Sequence, residues 1–276
     1  MQNYIKITIA FLLPALFAYF LIPPLHAEEL KRIEDNSFFI EEAYNQEPGV
    51  IQHIQTFQYM KDKTWETTFT QEWPVPGITH QLSYTIPVTH VIAPRGATGL
   101  GDLLLNYRYQ LIRRDELAVS PRLSLILPTG NSNRGLGTNS VGFQFNMPLS
   151  VLLAERWVMH WNMGTTLTPY NQESGGTRAD TYDFFSGASL IFIASSHINP
   201  MIEFLWESNE SVLAGSAKVR EDTAFVNPGL RFAINCKSGL QIVPAVTLPL
   251  GIGPSRGEYG IFGYISFEHS LWKSSE

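Results

Sequence analysis

From about residue 50 the chain alternates apolar and polar positions with a period of two, in segments of roughly 9 to 14 residues bounded by turn residues, which is the signature of strands with one apolar face. The clearest segment sets Val141, Phe143, Phe145, Met147, Leu149 and Val151 against Gly142, Gln144, Asn146, Pro148 and Ser150. The same phase separates Leu103, Leu105, Tyr107, Tyr109 and Leu111 from Asp102, Asn106, Arg108 and Gln110, and Trp157, Met159, Trp161 and Met163 from His160, Asn162 and Gly164. Further on, Tyr182, Phe184, Leu190 and Phe192 alternate with Asp183 and Ser186, and Ile198, Ile202, Phe204 and Trp206 with Asn199, Glu203 and Glu207. Twelve strands are predicted, centred near residues 56, 69, 84, 106, 122, 146, 163, 187, 202, 229, 245 and 264. An even number suits a single-chain barrel.

The connections also alternate. Residues 74–77, 113–116, 154–156, 195–198 and 235–239 form short turns, whereas residues 90–99, 129–139, 170–180, 208–222 and 251–257 form longer loops. Outer-membrane barrels show this asymmetry, with periplasmic turns at one end and external loops at the other. A soluble sandwich would share the alternation within each strand but has no reason to sort its loops by length. Aromatics such as Trp73, Tyr84, Trp157, Tyr170 and Trp272 fall mostly toward strand ends, as interfacial girdles require. Seven strand prolines, Pro87, Pro121, Pro148, Pro200, Pro228, Pro244 and Pro249, run against a closed barrel, because each removes a ladder donor where no free edge exists.

The N-terminus divides into two parts. Residues 1–27 carry Lys6, an apolar run over residues 7–25 and the small-residue end Leu25-His26-Ala27, the plan of a cleaved secretory signal; Pro14, Pro23 and Pro24 argue against a retained helical anchor. Residues 28–49 form an acidic segment with Glu28, Glu29, Glu34, Asp35, Glu41, Glu42 and Glu47 around Phe38, Phe39 and Ile40, and a short helix is expected before Pro48-Gly49. This segment either sits at the periplasmic mouth or enters the barrel as a plug. Residues 50–276 are expected to be the barrel itself. The whole chain carries a formal charge of −6, and removing Lys6 with residues 1–27 leaves 18 basic against 25 acidic residues, or −7. A nucleic-acid partner is therefore not expected. The single Cys236 excludes an internal disulfide and the paired-cysteine metal and redox motifs.

Three stretches carry a resemblance: residues 38–50, reading Phe-Phe-Ile-Glu-Glu-Ala-Tyr-Asn-Gln-Glu-Pro-Gly-Val; Gly99-Leu100-Gly101-Asp102; and residues 125–131, reading Leu-Ile-Leu-Pro-Thr-Gly-Asn. Together they resemble the meta-pathway of phenol degradation family of outer-membrane transporters, with the best correspondence between residues 38 and 153. That resemblance implies a barrel passing small, often aromatic or apolar compounds, and it brings no catalytic residue. Barrels of this kind often end on an aromatic that the assembly machinery reads; here Trp272 is followed by Lys273-Ser274-Ser275-Glu276, so Phe267 or Trp272 is expected to serve.

If the apolar set faces lipid, the alternate set faces the lumen: Asp102, Arg108, Arg122, Gln144, Asn146, His160, Asn162, Asp183, Glu203, Glu207 and Arg231. These are the expected pore-lining residues, either setting selectivity or pairing across a filled interior. Twelve strands lie between the filled interior of about eight and the aqueous channel of sixteen or more. For catalysis, His160, Asn162 and Ser124 or Ser186 supply residue types but no motif, since neither Gly-x-Ser-x-Gly nor His-Glu-x-x-His occurs. The glycines of residues 96–101 and 135–137 match no phosphate-binding pattern. The expected protein is an all-β outer-membrane channel with no catalytic, cofactor or metal site. Its partners are outer-membrane lipid, a small-molecule solute and the barrel-assembly machinery. A non-transporting structural or adhesive barrel acting through its external loops is the alternative, and a lipid-modifying barrel enzyme the remote one.

Overall fold

Twelve antiparallel strands account for most of residues 33–92, 96–172, 177–236 and 240–270, which the computed structural model describes. The expected signal peptide, the loop tips at 93–95 and 173–176, the turn residues 237–239 and the tail carrying Trp272 lie outside the described residues. The strands are β1 (Val50–Met60), β2 (Trp65–Pro74), β3 (His80–Val91), β4 (Ala97–Leu100, Leu103–Tyr109 and Ile112–Arg114), β5 (Leu117–Val119 and Arg122–Leu127) and β6 (Gly142–Asn146 and Leu149–Ala154). They continue as β7 (Trp157–Asn171), β8 (Ala179–Phe192), β9 (Ile198–Val212), β10 (Lys218–Phe232 with Ile234–Asn235), β11 (Gln241–Thr247 and Leu250–Gly251) and β12 (Gly260–Ser270). Each pairs with the next, and β12 closes the barrel against β1 from Val50 opposite Ser270 to Met60 opposite Gly260. All twelve predicted centres fall inside these strands.

The faces are inverted relative to a soluble barrel. Along β9, Ile202 and Phe204 are 49% and 43% exposed while Asn199 and Glu203 between and beside them are buried. The same outward apolar set continues around the wall through Phe57, Leu105, Leu123, Phe143, Met163, Phe184, Leu230, Val246, Ile261 and Ile265. A continuous exposed belt of this size would aggregate in water and belongs in hydrocarbon. The protein is a transmembrane β-barrel of the outer membrane.

The strand prolines are accommodated at breaks in the ladder. Pro121, Pro148 and Pro249 lie in the gaps that divide β5, β6 and β11. Pro87 lies opposite the Gly101-Asp102 break in β4, between the pairs Val88–Leu100 and Thr85–Leu104. Pro228 lies opposite the Leu248-Pro249 break, and Pro244 opposite the break at Ala233. Pro200 immediately precedes Met201, where the pairing of β9 with β8 begins opposite Ile191. A ring nitrogen without hydrogen costs nothing where the neighbouring strand has already left the ladder.

Two expectations need correction. Residues 208–222 are not an irregular loop: β9 and β10 stay paired from Ser208–Asp222 to Val212–Lys218, which leaves only residues 213–217 as the connection. Residues 33–49 contain no helix. Apart from a turn in which Ser37 N donates to the Ile40 carbonyl, most of their bonded backbone groups find partners on the barrel.

Candidate functional site

Residues 33–49 lie inside the barrel. At the short-turn end the segment is anchored by Asn45, whose Nδ2 donates to the Ile78 carbonyl (2.9 Å), and by Tyr44, whose hydroxyl donates to the Arg114 carbonyl (2.7 Å). Its other end is fixed near the base of β10 and β11, where Ile33 packs with Ala233 and Val243. Between these points it rises to an apex at Phe38-Phe39-Ile40-Glu41, level with Asn162 and Glu203.

Inward-pointing polar side chains replace the hydrogen bonds that a helix or sheet would have given this backbone. The Glu203 carboxylate accepts the consecutive N–H groups of Phe38, Phe39 and Ile40, each at 3.2 Å, and Asn227 Nδ2 at 3.0 Å. Asn162 acts as a side-chain peptide: its Oδ1 accepts from Glu41 N and its Nδ2 donates to Glu41 O, both at 2.9 Å. Ser150 Oγ accepts from Ala43 N (2.8 Å), Gln110 Oε1 from Asn45 N (2.7 Å) and Gln81 Oε1 from Gln46 N (2.8 Å). Arg231 donates to the carbonyls of Asp35, Asn36 and Ile33 at 2.5, 2.9 and 3.0 Å. The Asp35 carboxylate in turn accepts from Tyr264, Ser266 and Gln52.

Packing is equally specific. Phe38 joins Ile54, Ile191, Met201, Ala245, Phe262 and Tyr264 in a small apolar core on the lumen side of the wall. Phe39 lies against Phe262 with ring centroids 4.3 Å apart. Glycines leave room for the apex: a Cβ on Gly187 would sit 2.5 Å from Ile40 Cδ1, and one on Gly229 would sit 2.5 Å from Phe38 Cζ.

Charge is matched as well. Glu41 meets Arg108 at 2.6 Å and Arg122 at 2.8 Å. Burial works against ionisation of Glu41, but the Arg122 and Arg108 guanidiniums outweigh it and hold the carboxyl below the usual carboxylate range. Burial and neighbouring Glu34 push Glu42 well above that range.

Of the expected lumen residues, Arg108, Asn146, His160, Asn162, Glu203 and Arg231 are buried around the segment. Arg122 links Glu41 to Gln144, whose Oε1 it meets at 2.6 Å. Asp183 and Glu207 face the lumen nearer the external end, where Asp183 accepts from Glu210 N at 2.8 Å. Asp102 stands apart and binds the 129–139 loop. Of the residue types considered for catalysis, His160 and Ser186 lie on opposite faces of the wall. His160 Nδ1 meets Ser150 Oγ at 2.8 Å, while Ser186 is on the lipid side and accepts from Trp161 Nε1 at 3.1 Å. Pattern reading missed Gln52, Gln81, Gln110, Ser150, Ser189 and Tyr264 as anchors. All but Tyr264 are polar residues in the inward phase, and that phase was the available signal.

Two solved structures share this fold. The NanC porin is 10% identical with a TM-score of 0.54, covering 79% of this chain and 100% of that chain. The COG4313 outer membrane channel from Pseudomonas putida F1 is 13% identical with a TM-score of 0.64, covering 90% of this chain and 100% of that chain. No curated protein sequence matches the chain. The sequence profile of the MetA-pathway of phenol degradation family matches residues 51–242, which is most of the barrel. The chain is therefore a member of the MetA-pathway of phenol degradation family.

Proposed function

We propose that the protein is a passive outer-membrane channel for small neutral apolar or aromatic compounds, closed at its periplasmic half by residues 33–49. One observation carries this reading: above the apex, the lumen wall is built from threonine pairs and phenylalanines. Thr56 bonds to Thr68 (2.6 Å) and Thr70 to Thr85 (2.8 Å), so these hydroxyls satisfy each other and leave their methyl groups as wall. Pairing places Leu104, Phe185 and Phe225 on the same inward face. Asp183, Glu207 and Glu66 lie in this half too, which disfavours anions. The family's link to phenol degradation agrees with this reading, as do the two structural relatives, one a porin and the other an outer membrane channel.

Movement would follow the solute gradient, with displacement of the apex opening the lower half. In cells expressing the full chain, uptake of radiolabelled toluene is expected to exceed that of cells without it several-fold. Equal uptake, with the barrel shown folded by heat-dependent gel mobility, would overturn the reading.

A further inference from the structure

Two of the sequence stretches that carry the family resemblance meet at one carboxylate. Asp102, which closes Gly99-Leu100-Gly101-Asp102, accepts from Gly130 N (2.9 Å) through Oδ1, and from Thr138 N and Thr138 Oγ1 (both 2.8 Å) through Oδ2. Thr129 completes the joint: its hydroxyl donates to the Gly101 carbonyl at 2.8 Å and accepts from Leu103 N at 3.0 Å. On the far side the same loop is tied to the end of β7, where Gln172 N donates to the Thr138 carbonyl at 2.8 Å.

This double attachment folds the loop inward. Gly99 pairs with Thr89, which alternates with the inward-facing Gln81, Ser83 and Thr85, so Gly99 faces the lumen. Leu136 Cδ1 lies where a Gly99 side chain would begin, 2.9 Å from an ideal Cβ, and Leu136 is 6% exposed although it belongs to an external loop. Close approach is enforced elsewhere in the loop: a Cβ on Gly130 would stand 2.1 Å from the Leu136 carbonyl oxygen, and one on Gly137 2.4 Å from Asp102 Oδ1.

We infer that Leu136, held by the Asp102 clamp, is the apolar sill of an outer constriction and sets the size of aromatic solute admitted. The inference rests on the channel reading proposed above. Packed over a glycine, this aliphatic side chain fills the constriction with apolar atoms and presents a passing solute with no hydrogen bond, which favours apolar over hydrated solutes. Asp102 acts through the loop and is a positioning residue. All three groups it receives are donors, so Asp102→Asn would turn an amide N–H toward one of them and loosen the loop without changing the size of the side chain.

The test has two readouts in the full chain with Cys236→Ser. Leu136→Cys is expected to react with a membrane-impermeant maleimide on whole cells at least tenfold more slowly than Asn131→Cys, and adding Asp102→Asn should raise that rate several-fold. Separately, Leu136→Ala, which leaves the clamp intact, should raise the ratio of naphthalene to toluene uptake at least threefold. Equal labelling at both positions, or an unchanged naphthalene-to-toluene ratio in a variant that still takes up toluene, would overturn the inference. If the wild type carries neither hydrocarbon while labelling still depends on Asp102, the channel reading fails together with the specificity role of Leu136, and only the loop clamp stands.

Discussion

At the scale of single residues, Glu203 concentrates the most consequence. One buried carboxylate holds three successive N–H groups of the apex, and a buried donor stripped of its acceptor costs about 1–3 kcal/mol. Glu203→Ala should therefore release the apex while the wall stays formed, raising amide hydrogen exchange of residues 38–40 at least tenfold with little change at Phe143 or Phe145. Uniform exchange in wild type and variant would show that the segment is held by other contacts. Glu41 adds a pH dependence. Its carboxyl is depressed in the inserted state, so its contribution is complete above the pKa of the released segment and is lost as pH falls through the lowered value. Acidification should lower the protection of the apex amides relative to their intrinsic exchange rates, and Glu41→Gln should flatten that response.

At the scale of elements, the alternation from Leu103 to Tyr109 or from Gly142 to Asn146 was legible because hydrocarbon and lumen impose opposite demands on neighbouring side chains. The outer part of the β9–β10 hairpin was not. Once the strands leave the membrane, both faces meet water and the apolar half of the pattern disappears, so Asn209, Glu210, Arg220 and Glu221 read as loop although they are paired. Their cross-strand contacts are exposed ion pairs, Glu210 with Lys218 at 2.8 Å and with Arg220 at 2.9 Å. Such pairs contribute below about 1 kcal/mol. Glu210→Ala should fray the hairpin tip without moving the heat-dependent gel transition of the barrel, and a large drop in that transition would mean that the projection stabilises the wall. The inserted segment was illegible for another reason. Asp35, Ser37 and Phe38 follow no helical or strand period, because many of their partners are side chains from β9, β10, β12 and β8, more than 150 residues away in sequence. Composition showed an acidic stretch with an apolar centre, which pointed to the periplasmic mouth ahead of a plug.

At the scale of the molecule, a lipid-facing apolar belt, a closed ladder and an inward polar phase fix a transmembrane barrel, and the lumen is where function resides. Paired threonines and inward phenylalanines form part of the wall of the outer half, and the inner half is occupied by residues 33–49. On the channel reading proposed above, transport depends on whether the segment leaves. Ser37 and Ser189 provide a direct handle, because their hydroxyl oxygens are 2.6 Å apart across the joint between segment and wall. With Cys236→Ser removing the native thiol, Ser37→Cys combined with Ser189→Cys places two thiols within reach of a disulfide. The decisive measurement is toluene uptake by cells carrying this double variant, oxidised and then reduced: uptake should be abolished when the segment is locked and return on reduction. Equal uptake in both states would contradict a gate formed by residues 33–49.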